Sequence, residues 1–443
     1  MPSVAQILGI RRQRQSRYQR NPAGKLGLGC SLVVGLTLAV GLVFSTLAYT
    51  NLTQGLPSLE ALPALLQPPD GALLQPTLIL DRTGQHVLGK LENPLAANKQ
   101  YLLYEPGVSD SNLAILPTGL VSATLATDDP TFWTNWGFSY SGVGQDTHAT
   151  LAQKLVNSLL LWNEPAGERQ ALRERLLAMQ ITSRFGREKV LEWYLNSAYY
   201  GHLAYGADAA ARVYFGKPGA KLNLAEAAVL AAVADTPSLN PLDAPQAALE
   251  RGRAILQKMA NLGFISQATA ERSLQEKVVF QTSSQVREQP LEPFANLVID
   301  QLASQIPQQR LERGGLRIIT TLDEDIQKQT ACAVGLQLAR LGSNPGETAS
   351  SDCPAALLLP TLPGVDTTNK STLQANAVIL DPSNGQILAL VSASNTVPAP
   401  TRLSSRPPGS LLTPFIYLTA FTRGMSPATL LWDIPSERTD TSV

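Results

Sequence analysis

The stretch from Leu26 to Tyr49 contains no charged residue, and this constrains the fold of the chain more than any other feature. A helix of that length, at about 1.5 Å per residue, spans roughly 36 Å. That is enough to cross a hydrocarbon core about 30 Å thick with some tilt. Arg11, Arg12, Arg14, Arg17, Arg20 and Lys25 precede it. A cleaved secretory signal has an apolar region of only about 7 to 15 residues. The stretch therefore predicts a retained single-pass anchor: residues 1–25 a basic cytoplasmic segment, 26–49 a transmembrane helix. Cationic flanks stay in the cytoplasm, which places the chain after Thr50 outside the cell membrane.

With 443 residues, 44% apolar and 16% charged, the chain has room for two or three domains and is too apolar to remain unfolded. The formal net charge is zero, so no nucleic-acid partner is expected. Cys30 lies within the anchor, whereas Cys332 and Cys353 lie beyond it, where a disulfide is chemically permitted; the sequence alone does not say whether they meet. His86, His148 and His202 are scattered, and no Cys/His spacing suggests zinc, so no metal site is expected.

Residues 50–107 read as a stalk and a β-type entry segment. Leu56–Pro76 is rich in Pro and Leu, suited to an extended spacer, and Thr77–Gly89 has hairpin chemistry around Asp81–Gly84. Helical periodicity dominates residues 108–280, with helices expected over Glu168–Phe185, Arg187–Asn196 and Leu224–Ala234. The last is so rich in alanine that it should be buried. A linker follows over 281–313, then a mixed region over 314–443 with a strand in Gly314–Asp323 and a hairpin in Asn376–Ala393. Gly342–Lys370 reads as an exposed insertion.

Two places in the helical region can carry acid–base chemistry. Asp128 and Asp129 precede an aromatic cluster of Phe132, Trp133, Trp136, Phe138 and Tyr140. A carboxylate against apolar surface tends to hold its proton, which suits proton transfer. The same pair could simply open a turn before Pro130. Glu174 falls in line with Leu177, Ala178 and Ile181, away from the row of Arg169 and Arg173. It is either a functional carboxylate on an apolar stripe or a surface residue paired with arginine.

At this point the residues match a family. The run from Ala123 to Phe280, and above all REKVLEWYLNSAYYGHLAYGADAAARVYFGK from Arg187 to Lys217, resembles the glycosyltransferase domain of class A penicillin-binding proteins. LAEAAVLAAVADTPSLNP at Leu224–Pro241 and RGRAIL at Arg251–Leu256 continue it in order. The resemblance implies a mostly α, lysozyme-like glycosyltransferase domain after one N-terminal transmembrane helix, followed by an incomplete α/β transpeptidase-like domain. The substrates it implies are lipid II and the nascent glycan chain, met at the membrane, with other wall-synthesis proteins as further candidate partners. No cofactor is required on this reading; a divalent cation, Mg or Mn, travelling with the pyrophosphate is the option it leaves open.

The family's first motif, E-D-x-x-F-x-x-H-x-G, falls on Asp128, Asp129, Phe132, Asn135 and Gly137. Its glutamate is the general base, so the resemblance assigns that role to Asp128. Aspartate withdraws the carboxylate by roughly 1.5 Å, and misplacement by about 1 Å can cost a hundredfold in rate, so attenuation is expected. The second motif falls on Thr147–Lys154, keeping Thr150 and Gln153 and placing Lys154 at the end. The third keeps Glu174, the expected donor-side carboxylate, but has Gln170 and Ala171 where the family has cations for the leaving pyrophosphate. Arg187, Tyr194, Asn196 and Arg251 stand in place in the remaining motifs. With Asp129, Phe132, Thr150, Gln153 and Lys154 they form the expected substrate-binding set.

Near the end, RPPGSLLTPFIYLTAFTRGM resembles the segment carrying the transpeptidase serine. That chemistry needs S-x-x-K, whereas Ser410 is followed three residues later by Thr413, which cannot act as the base. Transpeptidation is therefore not expected. The expected function is peptidoglycan glycosyl transfer. A non-catalytic scaffold that keeps the lipid-binding cleft is the alternative, while a lysozyme-like hydrolase fits the anchor and helix motifs less well.

Overall fold

The structure, a computed structural model, describes residues 4–6, 8–11, 22–68, 71–105, 114–139, 150–282, 292–341, 353–359, 373–394 and 409–429; the side chains of residues 22–33 and 48 are not among these. Most of the basic flank, Tyr140, His148, the start of the second motif at Thr147 and the bulk of the 342–370 insertion lie outside them. The chain divides into two compact units, the first running to Glu324 and the second from Asp325.

The first unit begins with helix α1 (Pro22–Thr53), which contains the expected anchor and a 20-residue span, Val34–Thr53, long and apolar enough to cross a membrane. The Pro- and Leu-rich region that follows is not the extended stalk the composition predicts. It forms helix α2 (Ala61–Leu66), and Leu62 and Leu66, 1% and 0% exposed, join the main core. The physical reason is their i, i+4 spacing, which places both leucines on one face, while Pro63 sits in the first turn where a missing N–H costs nothing.

Strands β1 (Thr77–Leu80) and β2 (Val87–Leu91) make the expected hairpin, with Thr77 opposite Leu91 and a bulge at Ile79/Leu80. The helical body comprises α3 (Thr118–Asp128), α4 (Leu151–Leu159), α5 (Glu168–Phe185), α6 (Arg187–Ser197), α7 (Ala207–Phe215), α8 (Leu224–Asp235), α9 (Pro245–Asn261) and α10 (Gln267–Gln275). Gly167 and Gly186 bracket α5. A capping box in which Asn223 and Glu226 exchange hydrogen bonds starts α8. As its composition requires, α8 is buried almost throughout, and Ala228, Ala231 and Ala232 let it approach Ala123 and Ala126 of α3 closely.

Two further helices, α11 (Pro293–Leu302) and α12 (Gln308–Glu312), precede strand β3 (Arg317–Ile319). The sequence assigns β3 to the C-terminal region, but it pairs in parallel with β1, Ile318 opposite Ile79, and so belongs to the first unit. A pairing between segments so far apart leaves no periodic mark in either.

In the second unit, helix α13 (Glu324–Leu341) carries the buried Gln327, and β4 (Gln374–Leu380) pairs antiparallel with β5 (Ile387–Ser394) as the turn residues predict. Cys332 and Cys353 are disulfide-bonded, with Cα atoms 6.2 Å apart. Helix α14 (Thr413–Thr422) has no buried residue.

Candidate active site

Asp128 is the last residue of α3, and the helix ends there because Asp129 leaves helical geometry before Pro130. The Asp128 carboxylate is only 1% exposed. Its Oδ1 accepts from Lys154 Nζ at 2.7 Å and its Oδ2 from Tyr194 Oη at 2.8 Å, so α4 and α6 both close on it. Burial, reinforced by the Asp128 charge, pushes the Tyr194 hydroxyl well above its ordinary pKa, so that it stays protonated and acts as a donor.

Asp129 points elsewhere. It accepts from Asn135 Nδ2 at 2.9 and 3.1 Å, Thr131 Oγ1 at 3.2 Å and Leu151 N at 3.3 Å, tying the 129–137 loop to the start of α4. Burial raises its pKa above the ordinary value, and these donors oppose the rise without cancelling it. Thr150 caps α4 by accepting from Gln153 N at 3.2 Å. Gln153 Nε2 then donates to Glu174 at 2.9 Å. Consecutive residues of one helix, Gln153 and Lys154, thus hold the two candidate carboxylates. Glu174 is 4% exposed and shares its stripe with Leu177, Ala178 and Ile181, all 1% exposed or less.

A cleft of about 460 Å³ opens beside this arrangement, with Lys154, Tyr194 and Gln170 on its wall. Among the described residues no three His, Cys, Asp or Glu side chains cluster as a metal cage.

Residues 106–260 match the family model for the transglycosylase domain. The chain is 31% identical over 229 residues to penicillin-binding protein 1A of Aquifex aeolicus, covering 48% of this chain and 31% of the relative. Residues 106–260 are therefore similar to the transglycosylase domain found in class A penicillin-binding proteins. Penicillin-binding protein 2D of Bacillus subtilis is 27% identical over 331 residues, 70% of this chain and 44% of that one. The chain spans less than half the length of either curated relative. Penicillin-binding protein 1A from Haemophilus influenzae, a solved structure, aligns over 70% of this chain and 37% of its own at 19% identity, with a TM-score of 0.31.

Within the matched region, the residues expected to bind substrate divide into those that line the cleft and those that build it. Lys154 and Tyr194 line it. Phe132 is buried in the core. Arg187 donates from Nε to Phe132 O at 3.2 Å and from Nη2 to Asn135 O at 2.5 Å, holding the loop that follows Asp129. Asn196 clasps the backbone of Leu102, accepting from its N–H and donating to its carbonyl, both at 2.8 Å. Arg251 pairs with Asp235 at 2.8 Å, and Asp235 also stands 4.0 Å from Lys154. The flanking cations do not line the cleft: Arg173 is bound to Glu164 at 2.7 Å and to Gly55 O, and Arg169 to Asn51 O, near the C-terminal end of α1.

Sequence reasoning missed Asp235, which joins Lys154 to Arg251. One signal was available: an acidic residue closing α8 sits at the unfavourable end of the helix dipole, which invites a cationic partner. It also missed Trp162, Arg310 and Arg313, which line the same cleft from distant parts of the chain. In the second unit Ser410 and Thr413 are exposed on an apolar segment.

Proposed function

We propose that this domain polymerises lipid II into glycan strands, with attenuated activity, on the extracytoplasmic side of the membrane. Asp128 takes the proton from the acceptor sugar hydroxyl as that oxygen bonds to the donor's anomeric carbon. The bond from that carbon to the diphosphate oxygen breaks, and Glu174 acts on the donor side. The observation that carries this reading is the clamping of Asp128 by Lys154 and Tyr194, two side chains that line the cleft. A base fixed by two partners is pre-oriented. Movement of the flexible lysine frees Oδ1 for the acceptor, as catalytic hydrogen bonds commonly rearrange only in the substrate complex. A divalent cation, Mg or Mn, enters this scheme only as a companion of the diphosphate, since the described side chains offer no cage for one. Residues 314–443, apart from β3, are read as a transpeptidase-like remnant without transpeptidase chemistry, because Thr413 cannot deprotonate Ser410.

The near-complete burial of the Asp128 carboxylate favours a second reading, a scaffold that binds lipid II or wall-synthesis partners without turnover. Glycan formation from lipid II by the detergent-solubilised protein separates the two. Polymer from the native protein that falls about 10²–10⁴-fold in Asp128→Asn supports the base assignment. Polymer from Asp128→Glu alone, or from no variant, overturns it in favour of binding.

A further inference from the structure

The cleft is built from more than the family-matched domain. One wall comes from residues 106–260, and another comes from Pro307, Gln309, Arg310 and Arg313, which lie beyond that match. One of the cations around the cleft stands apart from the others. Lys154 is committed to Asp128 and Arg173 to Glu164. Arg169 donates to Asn51 O, and Arg313 donates to the carbonyls of Ser158 and Ser197, stapling the ends of α4 and α6. Arg310 makes one hydrogen bond, from Nη1 to Gly314 O at 2.9 Å, and no ion pair among the described residues. Its guanidinium lies 5.8 Å from the centre of the Trp162 ring.

A guanidinium has five N–H donors in a planar fork that matches phosphate oxygens two at a time. Stacking on an aromatic face fixes that fork without consuming its edge donors. Burial also depresses the Arg310 pKa. Gln170, neutral where the family resemblance implies a cation, lines the same cleft. The cation missing at positions 170 and 171 of α5 has a counterpart in Arg310 of α12, which lines the same cleft.

We propose that Arg310, held on Trp162, is the phosphate ligand of this cleft and receives the diphosphate of a polyprenyl-diphosphate sugar donor. The donor's identity rests on the function proposed above; the phosphate site rests on the geometry. The test is binding of undecaprenyl diphosphate to the full chain in neutral detergent, followed by tryptophan fluorescence, in native protein and in Arg310→Ala, Arg310→Lys and Arg310→Gln. Arg272→Ala, exposed on α10, is the control. The expected result is about tenfold or greater weakening in Arg310→Ala, partial recovery in Arg310→Lys and native affinity in Arg272→Ala. Arg310→Gln retains a donor for Gly314 O, so its melting temperature beside its affinity separates lost charge from lost fold. Native affinity in a folded Arg310→Ala or Arg310→Gln, or no binding by the native protein, overturns the proposal. Vesicles of phosphatidylglycerol are the competing source of the same chemistry, and displacement of the diphosphate by them at equal phosphate overturns the assignment to the donor. Arg310-dependent binding without glycan formation would leave this inference standing while the catalytic reading falls. Glycan formation with Arg310-independent binding would do the reverse.

Discussion

Asn196 in the first unit and Gln327 in the second make the same contact. Each is a buried side-chain amide that accepts from a backbone N–H and donates to the carbonyl of the same residue, Leu102 for Asn196 and Leu390 for Gln327. The surroundings differ. Asn196 sits inside a core in which Leu102, Leu191, Trp193, Leu195 and Tyr200 are all 1% exposed or less. Gln327 secures a single helix to a two-stranded hairpin, alongside the Cys332–Cys353 disulfide on the same helix. The same bond is therefore one restraint among many in the first unit and a principal restraint in the second. This difference bears on function, because a weak acid–base constellation can be held to catalytic precision only where many contacts over-determine it. The carboxylates occupy such a place, whereas Ser410 and Thr413 lie exposed.

The largest expected effect comes from cutting both clasps. Asn196→Ala and Gln327→Ala each leave a buried N–H and a buried carbonyl unpaired, at about 1–3 kcal/mol for each group. Loss of Gln327 should abolish hydrogen-exchange protection over β4 and β5. Loss of Asn196 should lower the first unit's urea midpoint while its protection pattern survives. Equal loss of protection in both would show that the core around Asn196 does not back it up. A smaller contrast comes from glycines. At Gly206, with φ of 90°, an added Cβ would stand 2.7 Å from Asn196 O, so Gly206→Ala should cost about 2–3 kcal/mol. Gly385, in the β4–β5 turn with φ of 73°, has open space around it, so Gly385→Ala should cost only the left-handed penalty of about 1 kcal/mol. Melting curves of the two variants give the comparison, and equal costs would remove the steric argument at Gly206.

How much of this was legible depends on the range of each interaction. Helix α5 could be read to the residue because glycines bracket it and its apolar residues repeat at helical spacing, which also put Glu174 in line with Ile181. The β4–β5 hairpin announced itself through its turn residues. Asp128 and Glu174 could be named from a resemblance, and the helix positions of Gln153 and Lys154 explain how both are held. What stayed hidden joins distant segments: β3 beside β1, Arg310 over Trp162, and Arg169 and Arg173 turned toward residues 51 and 55. None of these leaves a local pattern, since each is decided by which surfaces the completed fold brings together.

The smallest predicted effect tests whether the first unit tolerates charge burial for the sake of its site. Asp129 has a native pKa above its ordinary value of 3.8, with burial the leading cause. The native state therefore holds this proton to higher pH than the unfolded chain does. The stability that Asp129 contributes is fully present below the unfolded value and is lost as pH rises through the native one. Asp129→Asn cannot titrate. It loses part of the acceptor set for Asn135 and Leu151, a cost that does not vary with pH. Urea midpoints followed by tryptophan fluorescence between about pH 3 and pH 7 should thus shift in favour of Asp129→Asn as pH rises, with a slope below one proton. Parallel curves would mean that the donors from Asn135, Thr131 and Leu151 fully offset burial, and that the loop beside Asp128 is held without electrostatic cost.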